Sequence, residues 1–181
     1  MAQVLLISGS PSKVSKTSKV LDYVADKLDQ NGVSTDTISI RDLPPEDLVY
    51  AKFDSSTIKR TVELIEEADV VIVATPVYKA SYTGLLKSYI DLLPQSVLSG
   101  KAVVPIALGG SLAHLLVIEY ALKPVLSAVG AQTILNGVYG LDTQVSTNSD
   151  GSVSLGDDVR TRFDAMVQQV IQSLRVKVAS L

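Results

Sequence analysis

The chain has 181 residues, of which 46% are hydrophobic, and its formal net charge is −3. This length favours a single domain spanning residues 1–181, and the charge gives no argument for a nucleic-acid partner. With no cysteine and one histidine, the composition excludes disulfides, thiol catalysis and Cys/His zinc sites, and we expect no metal site.

The first predicted element is a buried strand that leads into a hydroxyl-rich loop. Val4-Leu5-Leu6-Ile7 is an unbroken apolar run, as in a parallel strand covered on both faces. The run is too short for a membrane span or a signal peptide, so we expect a cytoplasmic protein without membrane contact. A helix follows whose apolar face is formed by Val20, Leu21, Val24, Ala25 and Leu28.

The loop between this strand and helix, residues 8–18, is here called the first loop. It turns at Gly9-Ser10-Pro11 and carries six hydroxyl side chains, namely Ser8, Ser10, Ser12, Ser15, Thr17 and Ser18. Hydroxyl donors, backbone N–H groups and the positive end of the helix dipole together favour a phosphate monoester. Helix capping alone needs one such residue rather than six, so we favour a phosphate site.

Two common phosphate loops are excluded by spacing. A Walker A loop needs glycines where this chain has Ser10 and Ser15 ahead of Lys16-Thr17. Pro11 occupies the second glycine position of a dinucleotide-binding G-x-G-x-x-G motif. A mononucleotide phosphate site remains.

The next elements are predicted from turn signals and periodicity. The first helix ends near Asn31-Gly32, and alternation over residues 33–40 predicts an edge-like strand. Residues 42–47 are predicted to form a loop because they contain Pro44-Pro45. Asp54 or Ser55 is expected to cap a helix that runs to about Ala68.

Two further apolar runs predict central strands, over residues 70–74 and 102–108. The first ends in the second loop, residues 75–81, and a helix from about Thr83 to Leu93 follows. The other ends in the third loop, residues 109–111, and leads into a helix over about 112–129 that Pro124 interrupts.

The C-terminal part is predicted to contain a fifth strand, a hairpin and a last helix. The strand lies near residues 132–138, and the helix runs over about 157–176. In the polar segment between them, Asn148-Ser149-Asp150-Gly151 is a turn signal that closes a small hairpin.

Alternating strands and helices predict an α/β fold with a doubly wound, five-stranded parallel sheet and helices on both faces. With the strand order 2-1-3-4-5, a crevice opens beyond the carboxyl ends of strands 1 and 3. The three loops meet there. Pro76 and Tyr78 offer a rigid backbone and an aromatic ring, and the glycines of the third loop allow close backbone approach. This arrangement is that of a flavin mononucleotide (FMN) site, although residues 75–78 also fit an ordinary loop.

A serine hydrolase is rejected. Gly109-Gly110-Ser111-Leu112-Ala113 resembles a nucleophile elbow, but His114 follows Ser111 by only three residues on the same helix. In that fold the histidine comes from a separate loop late in the chain.

Several segments together resemble the NAD(P)H-dependent FMN reductases that supply reduced flavin to alkanesulfonate monooxygenases. They span the chain to about residue 140 and are Gly9-Ser10-Pro11 with Ser15 to Ser18, Pro45 to Leu48, Val73 to Ala80, and His114-Leu115-Leu116 with Tyr120 to Ala128. The resemblance implies a flavodoxin-like fold with the flavin phosphate on Ser10, Ser15, Lys16, Thr17 and Ser18. It places the flavin ring against Pro76, Val77, Tyr78, Lys79, Ser81, Gly109, Gly110 and Ser111.

The resemblance also implies a helix irregularity at Tyr120. In this family the matching tyrosine lies in a π-bulge at a subunit interface beside the flavin. The apolar residues of this segment do not all lie on one 3.6-residue helical stripe; they are Leu112, Leu115, Leu116, Tyr120, Leu122 and Val125. A residue inserted into a helix in this way often marks a functional site. The irregularity is also explicable by Pro124 alone.

The first loop departs from the family at one position. Ser12 stands where many relatives carry arginine, so one phosphate contact of the family is not carried over to this chain.

We therefore predict an oxidoreductase in which NADPH or NADH passes a hydride to FMN. No catalytic side chain is required, and Lys79 is a candidate contact for the nicotinamide nucleotide or the flavin. The implied partners are a flavin-dependent monooxygenase and further copies of the chain, as a dimer or dimer of dimers. The alternatives are a quinone or azo-type reductase that retains its FMN and a flavodoxin-like electron carrier.

Overall fold

A computed structural model describes residues 3–148 and 152–179 of the chain. Five strand positions form a parallel sheet in the order β2-β1-β3-β4-β5, with β6 continuing the fifth position beside β4. The strands are β1 Val4–Ser8, β2 Thr35–Ser39, β3 Val70–Pro76, β4 Ala102–Gly109, β5 Thr133–Ile134 and β6 Val138–Leu141. The predicted flavodoxin-like α/β fold and its strand order are confirmed.

Helices cover both faces of the sheet. They are α1 Lys16–Asp29, α2 Pro45–Val49, α3 Ser56–Glu67, α4 Gly84–Ile90, α5 Lys123–Ala128 and α6 Asp157–Ala179. Alternate residues of each strand point to opposite faces, so Leu6 packs with α1 and α6 while Ile7 packs with α3, α4 and α5. The central strands are therefore buried on both sides, as their continuous apolar runs predict.

The proline-rich segment after β2 is largely helical, and of the loop predicted over residues 42–47 only Leu43 and Pro44 lie outside a helical turn. A 3₁₀ turn covers Ile40–Asp42, and α2 begins at Pro45. Proline is favoured at the first helical position because the N–H that it lacks would have no intrahelical partner there. Of the two residues predicted to cap the next helix, Asp54 and Ser55, it is Ser55 that caps α3.

Helix α4 is shorter than the predicted helix from Thr83 to Leu93. After Ile90, Leu92 and Leu93 donate to carbonyls only three residues back, at 3.0 and 3.1 Å. Pro94 follows, and a residue before proline is disfavoured in the α conformation. The last turn therefore tightens and ends.

The predicted fifth strand over residues 132–138 is divided into β5 and β6. Both parts pair with β4, beside Ala102–Val103 and then from Ile106 onward. Pro105 of β4 lies opposite the gap and has no N–H to donate to a neighbouring strand. Gly137 approaches this proline so closely that an added Cβ would lie 2.4 Å from its carbonyl oxygen.

The polar segment before α6 forms the predicted hairpin. Strands β7 Val145–Thr147 and β8 Val153–Leu155 pair antiparallel. The predicted turn at Asn148-Ser149-Asp150-Gly151 lies, after Asn148, outside the described residues. In the described ranges no helix is long and apolar enough to cross a membrane.

Candidate functional site

The three predicted loops meet at the carboxyl ends of β1, β3 and β4. The N–H of Gly9 donates to the carbonyl of Ala74 at 2.8 Å, and the N–H of Val77 donates to Leu108 at 2.7 Å. The first loop is therefore joined to the end of β3, and the second loop to the end of β4.

Hydroxyl groups of the first loop bind one another and the start of α1. Ser15 caps α1, with its Oγ accepting from the N–H of Ser18 at 3.1 Å. The hydroxyls of Ser18 and Ser8 lie 2.9 Å apart, and the N–H of Ser12 donates to Ser10 Oγ at 3.3 Å. Only one of the six predicted hydroxyls is thus the N-cap.

The start of α1 is positively charged. Its first turn contains no acidic residue, and the first N–H groups of a helix have no intrahelical acceptor. The ammonium of Lys16 donates to the main-chain carbonyl of Asp142, beyond β6. Thr17 is buried on the same face of α1 as Val20 and Leu21, toward the core. The helix start can therefore hold an anion such as a phosphate.

Arg41 is a cationic residue near the first loop that sequence reasoning missed. Its Nε donates to the carbonyl of Pro11 at 3.3 Å, and its guanidinium pairs with Asp42 at 2.9 Å. Because β2 pairs with β1, the residues after β2 lie beside the first loop. An arginine directly after the edge strand is the only sequence signal for this contact.

Thr83 connects the first and second loops. Its hydroxyl donates to the Gly9 carbonyl at 2.6 Å and accepts from the N–H of Leu86 at 3.0 Å, which caps α4. Its own N–H donates to Thr75 Oγ1 at 3.2 Å, and that hydroxyl donates to the carbonyl of Pro76. The two loops are thereby fixed relative to each other. Thr83 was predicted only as the start of a helix.

The second loop ends in a tight two-residue turn. Tyr78 and Ser81 exchange backbone hydrogen bonds of 2.9 and 3.2 Å, around Lys79 and Ala80 with φ of 50° and 64°. Two positive φ angles are typical of a type I′ turn, where glycine and asparagine are usual. Non-glycine residues in this region are uncommon and concentrate at functional sites. Tyr78 is 50% exposed, so its ring is available to a ligand.

The two glycines of the third loop have different surroundings. An added Cβ at Gly110 would meet no atom within 4 Å, whereas one at Gly109 would lie 2.3 Å from the hydroxyl of Tyr139. Close backbone approach by a ligand therefore concerns Gly110, while Gly109 is required by the protein's own packing. Ser111 starts a 3₁₀ turn over Leu112–His114, with its Oγ accepting from the N–H of Ala113.

Residues 112–128 contain the predicted helix irregularity. A π-helical turn covers Ile118–Leu122, in which the N–H of Lys123 donates to the carbonyl of Ile118, five residues back. Pro124 lies in the first turn of α5, after the π turn. The predicted continuous helix over 112–129 is therefore a 3₁₀ turn, a π turn and a short α-helix. Tyr120 lies at the middle of the π turn and is 79% exposed.

The assembled residues fit FMN. The start of α1 with Ser10, Ser15 and Ser18 suits the phosphate, and the exposed Tyr78 and Gly110 suit a flat aromatic ring. Within residues 3–148 and 152–179, no group of three His, Asp or Glu side chains is arranged to hold a metal ion.

Comparison with known proteins finds FMN reductases. Residues 2–146 match the family model described as NADPH-dependent FMN reductase. The chain is 44% identical over 172 residues to "FMN reductase (NADPH)" of Escherichia coli K12, covering 95% of this chain and 90% of the relative. Identity to the protein of the same name from Pseudomonas putida KT2440 is 48% over 143 residues, covering 79% and 73%.

A solved structure is also similar. The apo form of the NADH:FMN oxidoreductase EMOB superimposes with a TM-score of 0.83 and 36% identity, over 96% of this chain and 90% of EMOB.

Proposed function

Since the chain belongs to the NADPH-dependent FMN reductase family, we propose that it supplies reduced FMN to a flavin-dependent monooxygenase. The chain is an NAD(P)H-dependent oxidoreductase that uses FMN. The delivery of reduced FMN to a monooxygenase, with alkanesulfonates as its substrates, is the proposed part.

The observation that carries the proposed FMN site is the start of α1. It combines a serine N-cap, further hydroxyls and an acid-free first turn, at the same edge of the sheet as the exposed Gly110. We assign the phosphate to Ser10, Ser15, Lys16, Thr17 and Ser18. Lys16 and Thr17 are assigned through their backbone N–H groups at the start of the helix, because the side chains are engaged or buried elsewhere.

The flavin ring is assigned to the second and third loops. The proposed contacts are Pro76, Val77, Tyr78, Lys79, Ser81, Gly109, Gly110 and Ser111, with Gly109 acting through its backbone. The chemistry that FMN supplies is acceptance of a hydride at N5 from C4 of the nicotinamide. The protein's part is to orient the two rings and to direct backbone N–H groups at the ring edge that becomes negative. Lys79 is exposed beside Tyr78 and is the proposed contact for NADPH or NADH.

We further propose that the chain forms a homo-oligomer, a dimer or dimer of dimers. Leu112, Leu115, Leu116 and Tyr120 are exposed near the third loop and are here called the apolar face. Contiguous exposed apolar residues mark interaction sites, and a second copy covering this face would lie next to the proposed flavin ring. Tyr120 would then influence how FMN is held. The single domain and the cytoplasmic location remain predictions.

Flavin occupancy of the purified protein, with NADPH oxidation measured with and without added FMN, tests the function. We expect nearly colourless protein that oxidises NADPH only when FMN is added, and that drives a flavin-dependent monooxygenase in a coupled assay. A protein that keeps stoichiometric FMN through dialysis and turns over only with a quinone or dye would instead retain FMN as a prosthetic group. Flavin that NAD(P)H reduces only through a separate reductase would indicate an electron carrier.

A further inference from the structure

Tyr139 lies beneath the third loop, on the second residue of β6. Only 3% of its surface is exposed. It pairs in register with Ala107 of β4 and belongs to a small apolar cluster with Ala107, Val117 and Ile118. Val77 of the second loop packs against this cluster. The ring thus touches a cluster shared by the loops and the π turn.

The hydroxyl of Tyr139 binds the third loop directly. It donates to the carbonyl of Ser111, which also accepts a long bond of 3.4 Å from the N–H of His114. A trans peptide points its N–H opposite to its C=O. Holding the Ser111 carbonyl toward Tyr139 therefore directs the N–H of Leu112 away from the core, toward the exposed side of the loop.

Gly109 is required by the same hydroxyl. A Cβ at this position would lie 2.3 Å from the Tyr139 oxygen and 3.1 Å from its Cζ, with Val77 Cβ next at 3.4 Å. The first distance is a severe clash. The second is tight enough that the ring would have to shift by a few tenths of an ångström, and the third is ordinary packing. The absence of a side chain at Gly109 thus lets the third loop lie close to the hydroxyl of Tyr139, and the two residues together set the distance between the loop and β6.

We propose that Tyr139 is a positioning residue that holds the backbone of the third loop in the orientation that binds the flavin ring. This inference rests on the proposed FMN site. The hydroxyl of Tyr139 acts through the Ser111 carbonyl and does not itself contact the flavin. Burial, and then the nearby Asp142, raise the pKa of Tyr139, so the hydroxyl keeps the proton that it donates to Ser111.

Tyr139→Phe removes the hydroxyl and leaves the ring. We expect the dissociation constant for FMN, measured by quenching of flavin fluorescence, to rise about fivefold, because one hydrogen bond to the loop is lost. The visible absorption bands of bound FMN should shift, since the backbone donors facing the ring move. A wild-type dissociation constant together with unchanged bands in Tyr139→Phe would overturn the inference.

A double variant tests the pairing with Gly109. Gly109→Ala should weaken FMN binding by more than Tyr139→Phe does, because the new Cβ displaces the loop. Gly109→Ala with Tyr139→Phe should recover most of the binding that Gly109→Ala loses, since the clashing oxygen is gone and the ring carbon 3.1 Å from the new Cβ requires only a small shift. If Gly109→Ala does not fold, recovery of folded, FMN-binding protein in the double variant supports the same conclusion. A double variant that binds no better than Gly109→Ala, or that also fails to fold, would overturn it.

Tyr23→Phe is the matched control. Its hydroxyl donates to Asp164 at 2.6 Å, between α1 and α6, so this variant also loses one side-chain hydrogen bond. It should lower the melting temperature without changing the absorption bands of bound FMN. An equal band shift in Tyr23→Phe would mean that general loosening explains the effect. Wild-type protein that does not bind FMN would contradict the proposed function itself.

Discussion

Helix α1 and residues 112–128 both follow a central strand and begin at the candidate flavin site, yet they differ in regularity. The first is a capped α-helix of 14 residues whose apolar side chains are buried in the core. The second passes through a 3₁₀ turn and a π turn before α5. Its Leu112, Leu115, Leu116 and Tyr120 are exposed.

The difference shows which requirement each segment meets. In α1, the N-cap, the 3.6-residue stripe and the core all favour the same structure, and such agreement specifies a fold strongly. In residues 112–128, a π turn interrupts the helix. Its Ile118 and Leu122 are buried in the core, whereas the residues of the apolar face are exposed. The chain's own folding gains little from the exposed side chains of the apolar face. We therefore attribute their exposure to contacts outside the monomer and to the adjacent flavin site, as proposed above.

The largest expected difference concerns stability. Leu21→Ala in α1 should lower the free energy of unfolding by about 3 kcal/mol, because it removes a side chain that is 2% exposed from the core. Leu115→Ala should lower it by less than about 0.5 kcal/mol in the monomer, because Leu115 is 49% exposed. Denaturant unfolding at low protein concentration measures both. Equal losses would contradict the distinction between the two segments.

The second prediction separates the capping and binding roles of Ser15. Aspartate caps helices as well as serine does, so Ser15→Asp should fold normally while placing a negative charge at the proposed phosphate site. We expect the KM for FMN to rise about 100-fold relative to that for riboflavin, which lacks the phosphate, because like charges at this distance repel by a few kcal/mol.

Ser15→Ala is the control for this prediction. It should lower stability by about 1 kcal/mol through loss of the cap but should change the FMN-to-riboflavin ratio far less. If Ser15→Asp leaves that ratio unchanged, the phosphate does not lie at the start of α1.

The third prediction concerns the apolar face. Leu116→Glu places a charge on this face, and we expect the oligomer's dissociation constant to rise at least about tenfold, because the charge must be desolvated on association. Sedimentation velocity over a range of protein concentrations measures it. Val176→Glu, at an exposed valine of α6, is the control and should leave assembly unchanged. A wild-type protein that is monomeric throughout would contradict the oligomer.

Elements set by local signals were predictable from the sequence. The apolar runs of β1, β3 and β4, the alternation of β2 and the cap at Ser55 each act over a few residues. The divided fifth strand was not, because it depends on Pro105 in the neighbouring strand, about 30 residues away in the chain.

The site shows the same limit. The three loops were placed correctly because strand order brings the carboxyl ends of β1, β3 and β4 together. Arg41, Thr83 and Tyr139 were missed, since each acts through a contact with a loop that is distant in sequence. Their residue types carry no motif. Only the folded chain shows which carbonyl each one binds.

The smallest expected effect tests what causes the irregular segment. Pro124 lies in the first turn of α5, directly after the π turn, where the fixed φ of proline suits the helix. Pro124→Ala should therefore change the free energy of unfolding by less than about 0.5 kcal/mol and leave the far-UV circular dichroism unchanged. Ser127→Ala, at an exposed position of the same helix, reports the ordinary gain in helix propensity, about 0.5 kcal/mol. A gain from Pro124→Ala well above that of Ser127→Ala would mean that the proline strains the helix. The π turn at Tyr120 would then be a response to Pro124 rather than an inserted feature of the site.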